Sequence, residues 1–334
     1  MQRQPIGCTL GTPPSPARRM PQPSRPASGH PTSGQPAEWS GAVCRQEGWW
    51  TATTSLAPAG LRLYRQRWSG AEPPRAAMVL VHGIGGHSGL FTDLAEELVG
   101  WGLEVFAFDL PGHGRSDGPR GMVRSWSDYR DCLDQFLASE VTAARPDLAC
   151  LLLGHSLGGT LVLDAVLDPD EASTRLIGAV VSNPAVGETG AASWRLLCAR
   201  LLSRIWPSFT LSTGFPLKLA CRDPIRLEAY RRDPYRHTLC SARLATEFLA
   251  VAGRLQTEAP RITLPLLLLQ SGADGVTPPA AAERFFAGLP EATSTWRFYP
   301  ASFHELFDDL DRQEVLADLR SWIEALLAVP AGSP

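Results

Sequence analysis

A serine between two glycines, Gly154-His155-Ser156-Leu157-Gly158, follows the apolar run Leu151-Leu152-Leu153 and precedes a second apolar stretch. The order strand, GxSxG, helix forces the serine into a tight turn that lifts its hydroxyl clear of a sheet. Gly154 and Gly158 are needed there because larger side chains would collide within the turn. A helix starting at Leu157 would also aim its unpaired N–H groups, the positive end, at whatever binds beside Ser156. The chemistry that suits this elbow, with His155 inside it, is nucleophilic attack on a carbonyl carbon.

A serine hydroxyl near neutral pH needs a base to take its proton and a third group to orient that base. Of the seven histidines, His30 falls in a Pro-rich arm, His82, His87, His113 and His155 lie in early loops, and His237 lies in a later helical region. With an elbow of this kind the chain order runs Ser, acid, His, which selects His304 and rejects His113. Asp274, in Gln270-Ser271-Gly272-Ala273-Asp274-Gly275 just past the most apolar strand, is the matching acid. It would accept the His304 N–H, fix the tautomer and stabilise the imidazolium that forms. The oxyanion of a tetrahedral intermediate calls for two backbone donors, each worth about 3 kcal/mol of barrier lowering. Leu157 would supply one, and Ile84, in His82-Gly83-Ile84-Gly85-Gly86-His87, the other, its side chain lining the acyl site. The glycine-rich stretch Asp109 to Gly118 is given a structural role.

Short apolar strands alternating with helical stretches must hold these groups. An antiparallel hairpin is expected from Trp49–Leu56 and Leu61–Trp68, around Ala57-Pro58-Ala59-Gly60. There follow a strand at Ala77–Val81, a helix at Leu90–Trp101, a strand at Leu103–Phe108 and a helix from Trp126 to about Ala144. Next come the strand Cys150–Gly154, a helix at Leu157–Leu167 and a strand at Leu176–Ser182. Strands apolar on both faces and separated by helices indicate an α/β protein with a mostly parallel central sheet flanked by helices. From 184 to 260 helical patterns replace the alternation, which reads as an inserted helical cap. The core occupies 42–183 and resumes over 261–330, with the strand Leu264–Gln270, a helix from Pro279, the strand Thr293–Phe298 and a helix from about Asp309 to Leu327. In the cap, Trp194, Leu197, Leu201 and Ile205 form an apolar stripe suited to an acyl chain or a membrane interface.

Composition narrows the partners. A formal net charge of −3 and 44% hydrophobic residues suit one large domain with a sizeable core and leave no basic excess for a nucleic-acid partner. The positive charge is nearly all arginine, Lys218 being the one lysine. Seven cysteines without a CxxC pair suggest no metal site and no disulfide framework, hence reduced thiols in a cytoplasmic protein. The N-terminus lacks a secretory pattern and no apolar run is long enough to span a bilayer, so any membrane attachment is expected to be peripheral. Residues 1–41, dense in Pro, Ser, Gly and Arg, read as a disordered arm.

The elements His82-Gly-Ile-Gly-Gly-His-Ser-Gly89, Phe108-Asp-Leu-Pro-Gly-His-Gly-Arg-Ser-Asp-Gly118 and GHSLGG closely resemble the monoacylglycerol lipase and lysophospholipase group of α/β hydrolases, also described as the serine aminopeptidase S33-type domain. The stretches Cys221-Arg-Asp-Pro-Ile to Arg232-Asp-Pro-Tyr and Phe303-His304-Glu-Leu-Phe-Asp-Asp309 look like that family's cap signature and catalytic-histidine loop. The resemblance covers about Trp49 to Leu327 and implies the α/β-hydrolase fold, with Ser156, Asp274 and His304 as nucleophile, acid and base and Ile84 and Leu157 at the oxyanion hole. It departs at Ile84, where the family often holds a smaller residue, and in the N-terminal arm. The expectation is hydrolysis of a lipid-like carboxylic ester, most simply a monoacylglycerol or lysophospholipid, through an acyl-enzyme and with no cofactor. Short-chain carboxylesterase, peptidase or acyltransferase activity, or a non-catalytic ligand receptor, remain alternatives. Epoxide hydrolases and dehalogenases are disfavoured, because they carry Asp where this chain has Ser156.

Overall fold

The computed structural model describes residues 42–169, 175–187 and 193–328, with the side chains of 193–196 outside that description. The N-terminal arm expected over residues 1–41 lies outside the described residues.

The chain opens with β1 (Cys44–Ala52) and β2 (Leu61–Ser69), an antiparallel hairpin in which Trp50 faces Leu63. The first strand starts at Cys44, five residues before the apolar alternation begins. Cys44 to Gly48 are largely exposed and polar, and pairing with Arg65 to Ser69 extends the strand where side-chain pattern gives no sign of it. Then follow β3 (Ala76–Val81), α1 (Thr92–Gly100), β4 (Leu103–Phe108), α2 (Ser127–Phe136), β5 (Cys150–His155), α3 (Leu157–Leu167) and β6 (Leu176–Ser182). A π-helical turn at Leu137–Thr142 continues α2, so the single helix expected to Ala144 is broken there. After an insertion come β9 (Leu266–Ser271), α7 (Pro279–Ala287), β10 (Ser294–Tyr299) and α8 (Arg312–Ala328).

Eight strands form one sheet in the order β1-β2-β4-β3-β5-β6-β9-β10, parallel from β4 to β10 and antiparallel at the β1 and β2 edge. The side-chain period of two explains why the inner strands are apolar throughout. On β3, Ala77, Val79 and Val81 join Tyr129, Phe136 and Leu161 from α2 and α3. On the opposite face, Met78 and Leu80 join Leu94 and Leu98 of α1 and Leu319 of α8. In β5, Leu152 faces the first layer and Leu151 and Leu153 the second, all fully buried, each contributing about 2 kcal/mol by removal from water. A polar residue at any of these three sites would stand unpaired between the sheet and a helix layer.

The insertion between the neighbouring strands β6 and β9 contains α4 (Ser193–Ile205), α5 (Pro224–Arg232) and α6 (Ala242–Glu258), together with an antiparallel ribbon of β7 (Thr210–Ser212) and β8 (Leu239–Ser241). Sequence periodicity indicates only helices here, because three-residue strands carry no readable alternation. Asp223 caps α5, its side chain accepting from Ile225 N with Pro224 at the first turn. Ser241 caps α6 by accepting from Leu244 N at 3.1 Å. Arg222 then joins Asp309 and Asp311, and Arg226 joins Asp93 and Asp308, fastening the insertion to the core.

Candidate active site

The carboxyl ends of four parallel strands converge on one cavity. β5 is followed at once by Ser156, which stands at φ 55°, ψ −121°, a region that non-glycine residues avoid. The backbone holds it there: Ser156 N donates to Ser182 O at 2.9 Å, and Thr160 N donates back to Ser156 O at 3.0 Å. Packing leaves no room for larger neighbours. A Cβ on Gly154 would meet Gly158 O at 2.3 Å, and one on Gly158 would meet Val81 O at 2.2 Å. The Ser156 side chain makes no capping bond to α3, so the N–H groups of that first turn, beginning with Leu157, have no helical acceptor.

Asp274 follows β9. Its carboxylate accepts Val276 N at 2.7 Å, Thr277 N at 2.9 Å, Thr277 Oγ1 at 2.6 Å and His304 Nδ1 at 2.8 Å. Burial pushes the Asp274 acid up, but the His304 imidazole and the Thr277 donors outweigh it and leave the group below its ordinary value. His304, from the loop after β10, shows the mirror case. Burial alone would lower the imidazole, and the Asp274 charge and hydrogen bond raise it overall. With Nδ1 committed to Asp274, Nε2 is left to face the cavity that Ser156 and His304 both line.

After β3, the loop from His82 to Gly89 passes close to Ser156: a Cβ on Gly83 would stand 3.0 Å from Ser156 Cβ. This brings the Ile84 backbone to the same cavity, which Ile84 lines. The loop is tied on three sides. His82 accepts from Leu110 N at 3.0 Å and sits 2.8 Å from Gly83 O, which requires the Nδ1–H tautomer; burial first of all pushes its imidazole down to about 4, so it is neutral at pH 7. Asp109 accepts Ser88 N, Ser88 Oγ and Arg115 N at 2.7, 2.6 and 2.8 Å, which gives the glycine-rich stretch from Asp109 its structural task. From the insertion, Asp233 meets His87 Nε2 at 2.7 Å, and His237 N donates to Gly85 O at 3.0 Å.

One residue escapes sequence reasoning. Asn183, with φ 45°, accepts Ser271 N at 2.7 Å and donates to Ser271 Oγ at 2.8 Å and to His304 O at 2.5 Å. It joins the ends of β6 and β9 to the histidine loop. The available signal was an Asn just past a strand, a type that tolerates the left-handed region.

The cavity, about 370 Å³, falls in the range of small-molecule sites. Its apolar wall includes Ile84, Leu90, Phe91, Phe215, Leu217 and Phe307, and its polar wall His155, Glu305, Asp233 and Arg236. Burial would raise Glu305, but His155, 3.0 Å away, holds that carboxyl well below the usual range. Leu197, Leu201 and Ile205 of α4 do not line this space; they face outward, and the Trp194 side chain lies outside the described residues.

Residues 72–311 match the family described as serine aminopeptidase, S33. The chain is 30% identical to mouse monoglyceride lipase over 285 residues, covering 82% of this chain and 91% of that protein. It is 28% identical to phospholipase YtpA of Bacillus subtilis, covering 76% and 97%. The crystal structure of Paleococcus ferrophilus monoacylglycerol lipase superposes with a TM-score of 0.71 at 33% identity, over 79% of this chain and 99% of that one.

Proposed function

The chain belongs to the serine aminopeptidase S33 family, and from that premise we propose that it hydrolyses lipid carboxylic esters through an acyl-enzyme, with Ser156, His304 and Asp274 as nucleophile, base and acid. The observation that carries the reading is the 2.8 Å bond between His304 Nδ1 and Asp274 in a cavity that Ser156 also lines. His304 Nε2 takes the Ser156 proton as Oγ attacks the ester carbon, and the raised imidazole keeps that proton long enough to hand it to the departing alcohol. The N–H groups of Ile84 and Leu157 receive the oxyanion. Water, deprotonated by His304, then releases the fatty acid and restores Ser156.

Monoacylglycerol is the substrate class proposed first. The apolar wall suits one acyl chain, the polar wall beside His155 and Glu305 suits a hydroxylated alcohol, and the relatives include proteins named for that activity. A lysophospholipid is the second reading. Arg236 lines the same cavity with its Nη1 buried and without a hydrogen-bond partner, as a phosphate oxygen would supply. We place the protein at a lipid interface, with the insertion acting as a cap whose outward Leu197, Leu201 and Ile205 contact lipid. No helix among the described residues is long and apolar enough to cross a membrane.

Initial rates on monoacylglycerols, lysophosphatidylcholine and p-nitrophenyl esters of graded length, with His304→Ala as the blank, test the reading. The expected result is highest kcat/KM on a monoacylglycerol, with turnover by His304→Ala far below that of the parent. Equal rates with and without His304 would end it.

A further inference from the structure

The insertion is basic in an otherwise acidic chain. From Ser193 to Ser241 the sequence carries nine Lys or Arg against three Asp or Glu, in a protein of formal net charge −3. The described ion pairs account for part of this excess: Arg222 and Arg226 face acids of the core. Others face solvent. Arg200, Arg204 and Lys218 are exposed and engage no acid within ion-pair distance among the described residues, while Arg231 and Arg232 share the single carboxylate of Glu228.

Where these charges stand is informative. The inner face of α4 is fixed on α6: Ser203 is buried, its Oγ accepting from Thr246 Oγ1 at 2.8 Å and its carbonyl from Arg243 at 3.0 Å. The outer face presents Leu197, Leu201 and Ile205 at 67, 58 and 70% exposure, with Trp206, Leu211 and Phe215 also exposed nearby in sequence. Arg200 follows Leu197 by three residues and Arg204 follows Leu201 by three, so each guanidinium stands beside an apolar side chain on that face. An apolar ridge edged with arginines lets the aliphatic stems lie over acyl chains while the heads remain at headgroup level. Phe215 and Arg231, exposed residues of the same insertion, also line the cavity wall.

We propose that this face docks on an anionic lipid surface and selects it over a neutral one, Arg200 and Arg204 supplying the selection and the Leu197, Leu201, Ile205 ridge the insertion. The proposal deepens the interfacial reading above by naming the lipid charge. Each basic residue held at an anionic surface changes partitioning about fivefold, so reversing two changes it by at least about 25-fold. The attraction is screened by salt because the charges are exposed.

Flotation of the full-length protein with vesicles of phosphatidylcholine alone, or with 30 mol% phosphatidylglycerol, at low and high salt, decides the matter. The expected result is at least tenfold tighter binding to the anionic vesicles at low salt, lost at high salt and lost in Arg200→Glu/Arg204→Glu. That variant should hydrolyse soluble p-nitrophenyl butyrate within twofold of the parent, which excludes misfolding. Equal binding to both vesicles, binding indifferent to salt or to the double reversal, or a dimer in sedimentation that buries this face would each overturn the proposal. Vesicle binding requires no turnover, so a protein that floats with anionic lipid but hydrolyses no ester would refute the proposed function and leave this inference standing.

Discussion

Asp274→Asn replaces one carboxylate oxygen by an amide and leaves the side-chain shape intact. Asn Oδ1 would keep the N–H groups of Val276 and Thr277, now at 2.7 and 2.9 Å, so the turn persists. The amide would occupy the place of Oδ2, which accepts Thr277 Oγ1 and His304 Nδ1 at 2.6 and 2.8 Å. Thr277 adapts, since its hydroxyl also reaches Asn183 O at 3.4 Å and can accept instead of donate. His304 can meet an N–H donor only with Nδ1 unprotonated, which puts the proton on Nε2, where a general base must be bare. The expected loss is about 10⁴ in kcat, the size produced by a wrong-tautomer histidine, or about 5.5 kcal/mol of barrier. A second consequence follows from charge. Asp274 raises the His304 imidazole above 6.5, so in the parent kcat/KM should fall with acid at a pH above that ordinary value, because base catalysis needs the neutral ring. In Asp274→Asn the acid limb of the residual activity should move to lower pH. Steady-state kinetics on p-nitrophenyl butyrate from pH 5 to 9, with a melting curve for each protein, measure both effects. A loss of less than tenfold, or an unmoved acid limb, would refute the assignment of Asp274 as the partner of the base.

Gly158→Ala sets a methyl 2.2 Å from Val81 O and should lower stability by about 3 kcal/mol, read as a fall in the urea midpoint. Asn183→Ala removes three buried hydrogen bonds and should cost both stability, by about 3 kcal/mol, and kcat, with KM for a short ester little changed. An unaltered kcat in a folded Asn183→Ala protein would deny it any part in placing His304. Ile84→Ala should enlarge the acyl wall and shift the preferred chain length upward by one or more methylenes without abolishing turnover, as an ester series will reveal.

The elbow at Ser156 is readable because its pattern is local: a strand, two glycines and a helix follow one another within about ten residues, and the contact with Gly158 O makes Gly154 obligatory, while Gly158 is required by Val81 O of the neighbouring strand. The pairing of Asp274 with His304 is readable for a different reason, since Asp274 follows the most apolar strand, His304 follows the final strand, and the order along the chain leaves few choices. Asn183 is not, because its task exists only once the ends of β6 and β9 and the histidine loop lie side by side. The apolar stripe of α4 is visible as periodicity, yet periodicity alone does not say that the face opposite Ser203 is the one left uncovered. Likewise β7 and β8 hold together through each other and through neighbours such as the Gly121 carbonyl, which accepts Ser241 N at 2.8 Å, and not through any pattern of their own.

Covalent trapping tests the central claim most directly. Full-length protein treated with a fluorophosphonate, digested and mapped by mass spectrometry should carry one stoichiometric adduct on Ser156, slowed markedly in His304→Ala and absent in Ser156→Ala. An adduct on another residue, or undiminished labelling after Ser156→Ala, would contradict the account.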